Sequence, residues 1–121
     1  MTDYQAAAER YIAAWNTAGN DRAAAVARAF TGDASYIDPM MTAAGHAGLD
    51  AMIGGAQQKF AGLHFYLAGA VDGHGDRLRF CWSLGADAAT PVAKGTDFAT
   101  LGADGRIAQV CGFLDLLPQS A

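Results

Sequence analysis

Leu78-Arg79-Phe80-Cys81-Trp82-Ser83-Leu84 places a large apolar residue at every second position, with Arg79, Cys81 and Ser83 between them. A period of two marks a strand that lays one face on a core. Residues 63–71, opening with Leu63-His64-Phe65-Tyr66-Leu67, read as a strand before it, and residues 91–101 and 107–116 as strands after it. Asp72-Gly73 and Ala103-Asp104-Gly105 supply turn chemistry between them. The connections are too short for crossover helices, so these four strands are expected to run antiparallel.

Upstream the periodicity is helical. Ala7, Tyr11, Ala14, Trp15 and Ala18 share one side of a helix over residues 3–18, with Thr2 or Asp3 as its cap and Gly19-Asn20 as its stop. Asp21 reads as the N-cap of a shorter helix to Phe30, and Ala34-Ser35-Tyr36-Ile37-Asp38 as a strand ended by Pro39. Residues 40–47 read as a loop and 48–60 as a third helix, with Leu49, Met52, Ile53 and Ala56 on one side. The expectation is one α+β domain over residues 1–121: a curved sheet with three helices on one face and a cavity between the layers.

Composition narrows the function. The 121 residues carry eight Lys and Arg against twelve Asp and Glu, a net charge of −4, which disfavours nucleic acid as a partner. With 52% hydrophobic and 17% charged residues the chain should fold, yet no apolar run is long enough for a bilayer. The N-terminus, Met1-Thr2-Asp3-Tyr4-Gln5, lacks signal-peptide character, so a cytoplasmic location is expected. Cys81 and Cys111 are then expected to be small buried hydrophobes. His46, His64 and His74 match no zinc spacing, and there is no strand-to-helix phosphate loop, so neither metal nor cofactor is expected.

Three residues carry chemical interest. Asp38 ends a strand beside Pro39, on the same face as Ala34 and Tyr36; it is either a turn-former or a functional acid. Asp97 interrupts the strand Lys94-Gly95-Thr96-Asp97-Phe98-Ala99-Thr100-Leu101, where Asp is disfavoured. Facing water it is a solvated edge residue; facing the helices it is desolvated, its pKa rises, and its neutral form can donate a hydrogen bond. Tyr11, one turn before Trp15, is either core or a buried phenol in need of a partner.

Glu9-Arg10-Tyr11-Ile12-Ala13-Ala14-Trp15-Asn16, Ala34-Ser35-Tyr36-Ile37-Asp38-Pro39 and Gly95-Thr96-Asp97-Phe98 with Asp104-Gly105-Arg106-Ile107 resemble the superfamily of nuclear transport factor two, SnoaL-like polyketide cyclases and ketosteroid isomerase. The resemblance spans nearly the whole chain. It implies a cone-shaped, mixed or antiparallel sheet whose three helices enclose an apolar pocket. The polar residues are most similar to ketosteroid isomerase, whose oxyanion-hole tyrosine falls on Tyr11, general base on Asp38 and neutral aspartic acid on Asp97. That implies proton abstraction beside a carbonyl in a small apolar ligand. Trp15, Met40, Ile53, Phe80 and Trp82 are expected to bind the substrate.

The sequence departs from that isomerase in one respect: the position of a further supporting tyrosine on the third helix looks like Ile53 here. The arginine-bridged acid pair of the epoxide-hydrolase branch is also missing, since Gly95 stands two residues before Asp97. A polyketide cyclase or dehydratase, or a ligand-holding or association domain of the same fold, is the alternative. The fold also implies a homodimer through the outer sheet face, with which the apolar residues alternating on both faces of the last strands, such as Val110, Phe113 and Leu114, are compatible. His46 is a candidate for the cavity mouth, and Asp115 for a second acid or a solvated strand end.

Overall fold

A computed structural model describes residues 2–117. Helix α1 (Tyr4–Asn16) is capped by the Asp3 carboxylate, which accepts from the Ala6 N–H at 2.9 Å. A short 3-10 turn (Gly19–Asp21) leads into α2 (Arg22–Ala29), and Asp21 makes no side-chain cap. Strand β1 (Phe30–Ile37) follows directly, four residues earlier than the alternation suggests. Strand β2 (Thr42–Ala44) and α3 (Gly45–Lys59) occupy what reads as loop and late helix start. Strands β3 (His64–His74), β4 (Arg77–Gly85), β5 (Pro91–Leu101) and β6 (Ile107–Leu116) complete the chain.

The six strands form one open sheet in the order β2-β1-β6-β5-β4-β3. The last four run antiparallel as expected, and β1 lies parallel to β6 between it and β2. The sheet is therefore mixed and unclosed, with three helices: the α+β arrangement consistent with a cone.

Alternation fixes which residues face the helices. On β4, Leu78, Phe80 and Leu84 are buried, and on β5 Ala93, Gly95, Asp97 and Ala99. On β6, Val110 and Gly112 are buried and Leu114 is half-buried, while Phe113 points outward. Alanines at 7, 8 and 14 let α1 settle closely onto this surface, and Tyr11 and Trp15, one turn apart, project from it into the core. The cysteines correct an expectation. Both are exposed, because Cys81 and Cys111 fall on the outward positions of β4 and β6.

Candidate active site

Tyr11 and Asp97 meet at the inner end of a pocket between α1, α3 and the sheet. The Tyr11 hydroxyl donates to Asp97 Oδ2 at 2.7 Å, and the Trp82 indole N–H donates to Asp97 Oδ1 at 3.2 Å. Asp97 is 1% exposed and Tyr11 2%, so the pair is screened from solvent. Burial is the main reason the Asp97 carboxyl is pushed up from 3.8 to about 6. The two donated hydrogen bonds pull the other way, and the carboxylates of Asp38 and Asp115 add to the rise. Burial, then the Asp97 charge, raises the Tyr11 phenol well above its usual value, so it stays protonated and available as a donor.

The strands explain how an acid comes to lie there. Asp97 on β5 pairs with Phe80 on β4 and Gly112 on β6. A Cβ at residue 112 would lie 2.8 Å from Asp97 Oδ1, 3.3 Å from the Asp38 Cβ and 3.5 Å from the Tyr36 hydroxyl. Glycine there leaves room for both acids and a phenol to converge. Gly95 serves Trp82 in the same way, for a Cβ at 95 would collide with the indole ring that lies across it.

Asp38 lines the same pocket, nearer the solvent. Its Oδ1 accepts from the Met40 and Met41 backbone N–H groups at 2.7 and 2.8 Å, and its Oδ2 accepts from the Tyr36 hydroxyl at 2.6 Å. The Asp38 N–H also donates to the Met41 carbonyl at 3.0 Å, closing the turn that launches β2. Asp38 therefore both forms the turn and lines the pocket. A carboxylate offers about four lone-pair sites, and three are used here. Tyr36, not singled out by its sequence position, holds Asp38 through its hydroxyl, while Asp97 is held by Tyr11 and Trp82. Tyr36 is buried, and burial with the nearby Asp97 and Asp38 carboxylates raises its phenol pKa strongly.

Apart from Lys59, the remaining lining residues are apolar, and the pocket encloses about 530 Å³. Of the residues expected to bind the substrate, Trp15, Met40 and Trp82 line the pocket, together with Phe65 and Leu84. Ile53 and Phe80 do not. Ile53 is fully buried on the core side of α3, and Phe80 lies behind Tyr11 with ring centroids 5.1 Å apart. The Trp15 indole N–H lies near the Tyr11 hydroxyl and has no hydrogen-bond partner among the described residues. His46 is held away from the cavity by the Phe30 carbonyl at 2.9 Å, and Asp115 accepts from the Thr96 hydroxyl at 2.7 Å at an exposed site. Among the described residues no group of three His, Cys, Asp or Glu side chains is placed to hold a metal ion.

The family model of the SnoaL-like domain matches residues 8–110, most of the chain and every residue of the pocket's polar core except Gly112. The chain belongs to the SnoaL-like family. No curated protein matches it. A solved structure from Agrobacterium tumefaciens str. C58, provisionally named an isomerase of the SnoaL-like family, is 45% identical. The match covers 95% of this SnoaL-like domain and 99% of that chain with a TM-score of 0.87. A protein from Jannaschia sp. CCS1, provisionally named a SnoaL-like polyketide cyclase, shares the fold at 17% identity, 93% and 85% coverage and a TM-score of 0.73. A nuclear transport factor two-like protein of unknown function from Exiguobacterium sp. 255-15 does so at 20% identity, 90% and 98% coverage and a TM-score of 0.69.

Proposed function

We propose that this SnoaL-like domain is an enzyme that shifts a proton on a small apolar carbonyl compound, with Asp38 as the base and Tyr11 and neutral Asp97 as partners of the carbonyl oxygen. The observation that carries the reading is the Tyr11–Asp97 hydrogen bond, buried at the end of an apolar pocket that also holds Asp38. A passive apolar carrier gains nothing from desolvating an acid, which costs free energy.

In this reading Asp38 takes a proton from the carbon beside the carbonyl through its unused lone pair. The C–H electrons become the new C=C bond, and the carbonyl π electrons move onto oxygen. That oxygen meets the Tyr11 hydroxyl and the protonated Asp97 carboxyl, which turn from each other towards the ligand. A carboxyl poised at about 6 takes up a proton readily when an oxyanion forms beside it. In a β,γ-unsaturated substrate the oxygen's electrons then re-form the carbonyl, and the enolate C=C pair becomes the α,β double bond. The former β,γ π pair takes the proton back from Asp38 at the γ carbon, so the double bond has moved. Trp82 steadies Asp97, and the apolar walls keep water from the enolate.

The isomerase name of the 45% identical neighbour favours this reading, and the polyketide-cyclase name of a more distant one keeps ring closure or water loss as the second. A cytoplasmic homodimer, joined through the outer sheet face that carries Phe98 and Phe113, completes the proposal.

The test is exchange of the carbon-bound proton. A panel of cyclic enones and 1,3-diketones incubated in D2O with the protein is followed by proton NMR. Catalysed deuterium uptake beside the carbonyl is expected, abolished in Asp38→Asn and reduced about 10²–10³-fold in Tyr11→Phe. Absence of exchange across the panel, with the protein folded, overturns the reading.

A further inference from the structure

The pocket has two chemically distinct ends. Its inner end holds Tyr11 and Asp97, both almost wholly buried. Its outer end carries exposed Met40, Lys59 and Leu117, with half-buried Phe60 beside them. Lys59 is the one cationic side chain among the described lining residues, and it makes no salt bridge with a described residue. Its ammonium sits 5.5 Å from the centre of the Phe60 ring, which keeps the charge at the mouth.

From this polarity we infer that the ligand is amphiphilic, an apolar carbonyl compound with an anionic group at its far end that pairs with Lys59. The inference rests on the proposed function for the placement of the carbonyl, and charge then fixes the orientation. An anion entering first would approach Asp38 and Asp97, and like charges in a poorly solvated pocket repel strongly. With the carbonyl leading, the anion stays at the wet mouth beside the ammonium and keeps much of its hydration. The mouth cation thus selects the direction of entry as well as the class of ligand. Lys59 is the last residue of α3, where a cation also complements the helix dipole. That role alone predicts no preference among ligands.

Two probes separate these roles. 2-Naphthol resembles an enolate without a second charge, and 6-hydroxy-2-naphthoate adds a carboxylate at the opposite end. Fluorescence titrations at low salt compare the wild type with Lys59→Gln and Lys59→Glu. The wild type is expected to bind the naphthoate about three- to fivefold more tightly, as suits a solvent-exposed ion pair. The preference is expected to shrink in salt, to vanish in Lys59→Gln and to reverse in Lys59→Glu. A ratio unchanged in Lys59→Gln overturns the inference. Binding of 2-naphthol that depends on Tyr11, with no preference for the naphthoate, overturns it while leaving the proposed chemistry standing. Failure of the folded protein to bind either probe overturns both.

Discussion

The Tyr11 hydroxyl donates to the Asp97 carboxylate across 2.7 Å, joining the first helix to the fifth strand inside a water-poor pocket. The proton inventory of that pair decides what the pocket can stabilise.

Asp97 should leave a signature in the pH dependence of folding. The unfolded chain loses this proton near 3.8, whereas the folded one keeps it to about 6. Between those values the folded state binds more protons, so stability falls as pH rises from about 4 to 6 and the full cost persists above. That cost is about 3 kcal/mol, and below 3.8 it vanishes. Urea unfolding of the wild type and Asp97→Asn across this range should show the wild type losing stability relative to the variant. Parallel pH profiles would contradict a raised Asp97.

Asp38 should divide by variant. Asp38→Asn keeps an oxygen for the Met40 and Met41 N–H groups, so the turn survives while the base is lost. Asp38→Ala strands both donors and should cost about 1–3 kcal/mol as well. Turnover absent in both variants, with near-native stability only in Asn, is expected from activity and urea titrations. An Asn variant that turns over normally would remove Asp38 from the chemistry.

Gly112→Ala should injure the site by adding one carbon. The new Cβ would meet Asp97 Oδ1 at 2.8 Å, closer than the packing tolerates. Activity is expected to fall at least about tenfold, with a stability loss of about 1–3 kcal/mol. Kinetics beside denaturant unfolding checks both numbers.

The outer face gives a separate prediction. Phe98 and Phe113 pack edge to face at 5.8 Å while remaining 45% and 52% exposed. If the proposed dimer forms through this face, the wild type sediments as a dimer and Phe98→Glu with Phe113→Glu as a monomer in analytical ultracentrifugation, since an apolar contact cannot bury two new charges cheaply. A monomeric wild type, or a dimer that both substitutions leave intact, would contradict a dimer through this face.

Much of this was legible because local signals agreed. Alternation on β4 and β5 gives both strand and facing, and an Asp inside such a pattern marks itself as unusual. Alternation also puts Cys81 outside, between Phe80 and Trp82, but the usual burial of cysteine points the other way; the pattern is the better guide. Other features lack a local signal. β2 is three residues long, too short for a period to show, and the β1–β6 pairing joins strands about 75 residues apart in the chain. Spacing puts Tyr36 on the same face as Asp38, but their hydrogen bond depends on a turn that only the folded backbone defines. Ile53 and Phe80 face inward as read, yet inward here means core, since Tyr11 covers Phe80.

The most direct measurement is the ultraviolet absorption spectrum of naphthols and substituted phenols bound in the pocket. Binding with the spectrum of an ionised oxygen is expected, its charge held by Tyr11 and a proton on Asp97, with that spectrum lost in Tyr11→Phe and Asp97→Ala. Bound ligands that keep neutral spectra, or that ignore both substitutions, would contradict the proposed function.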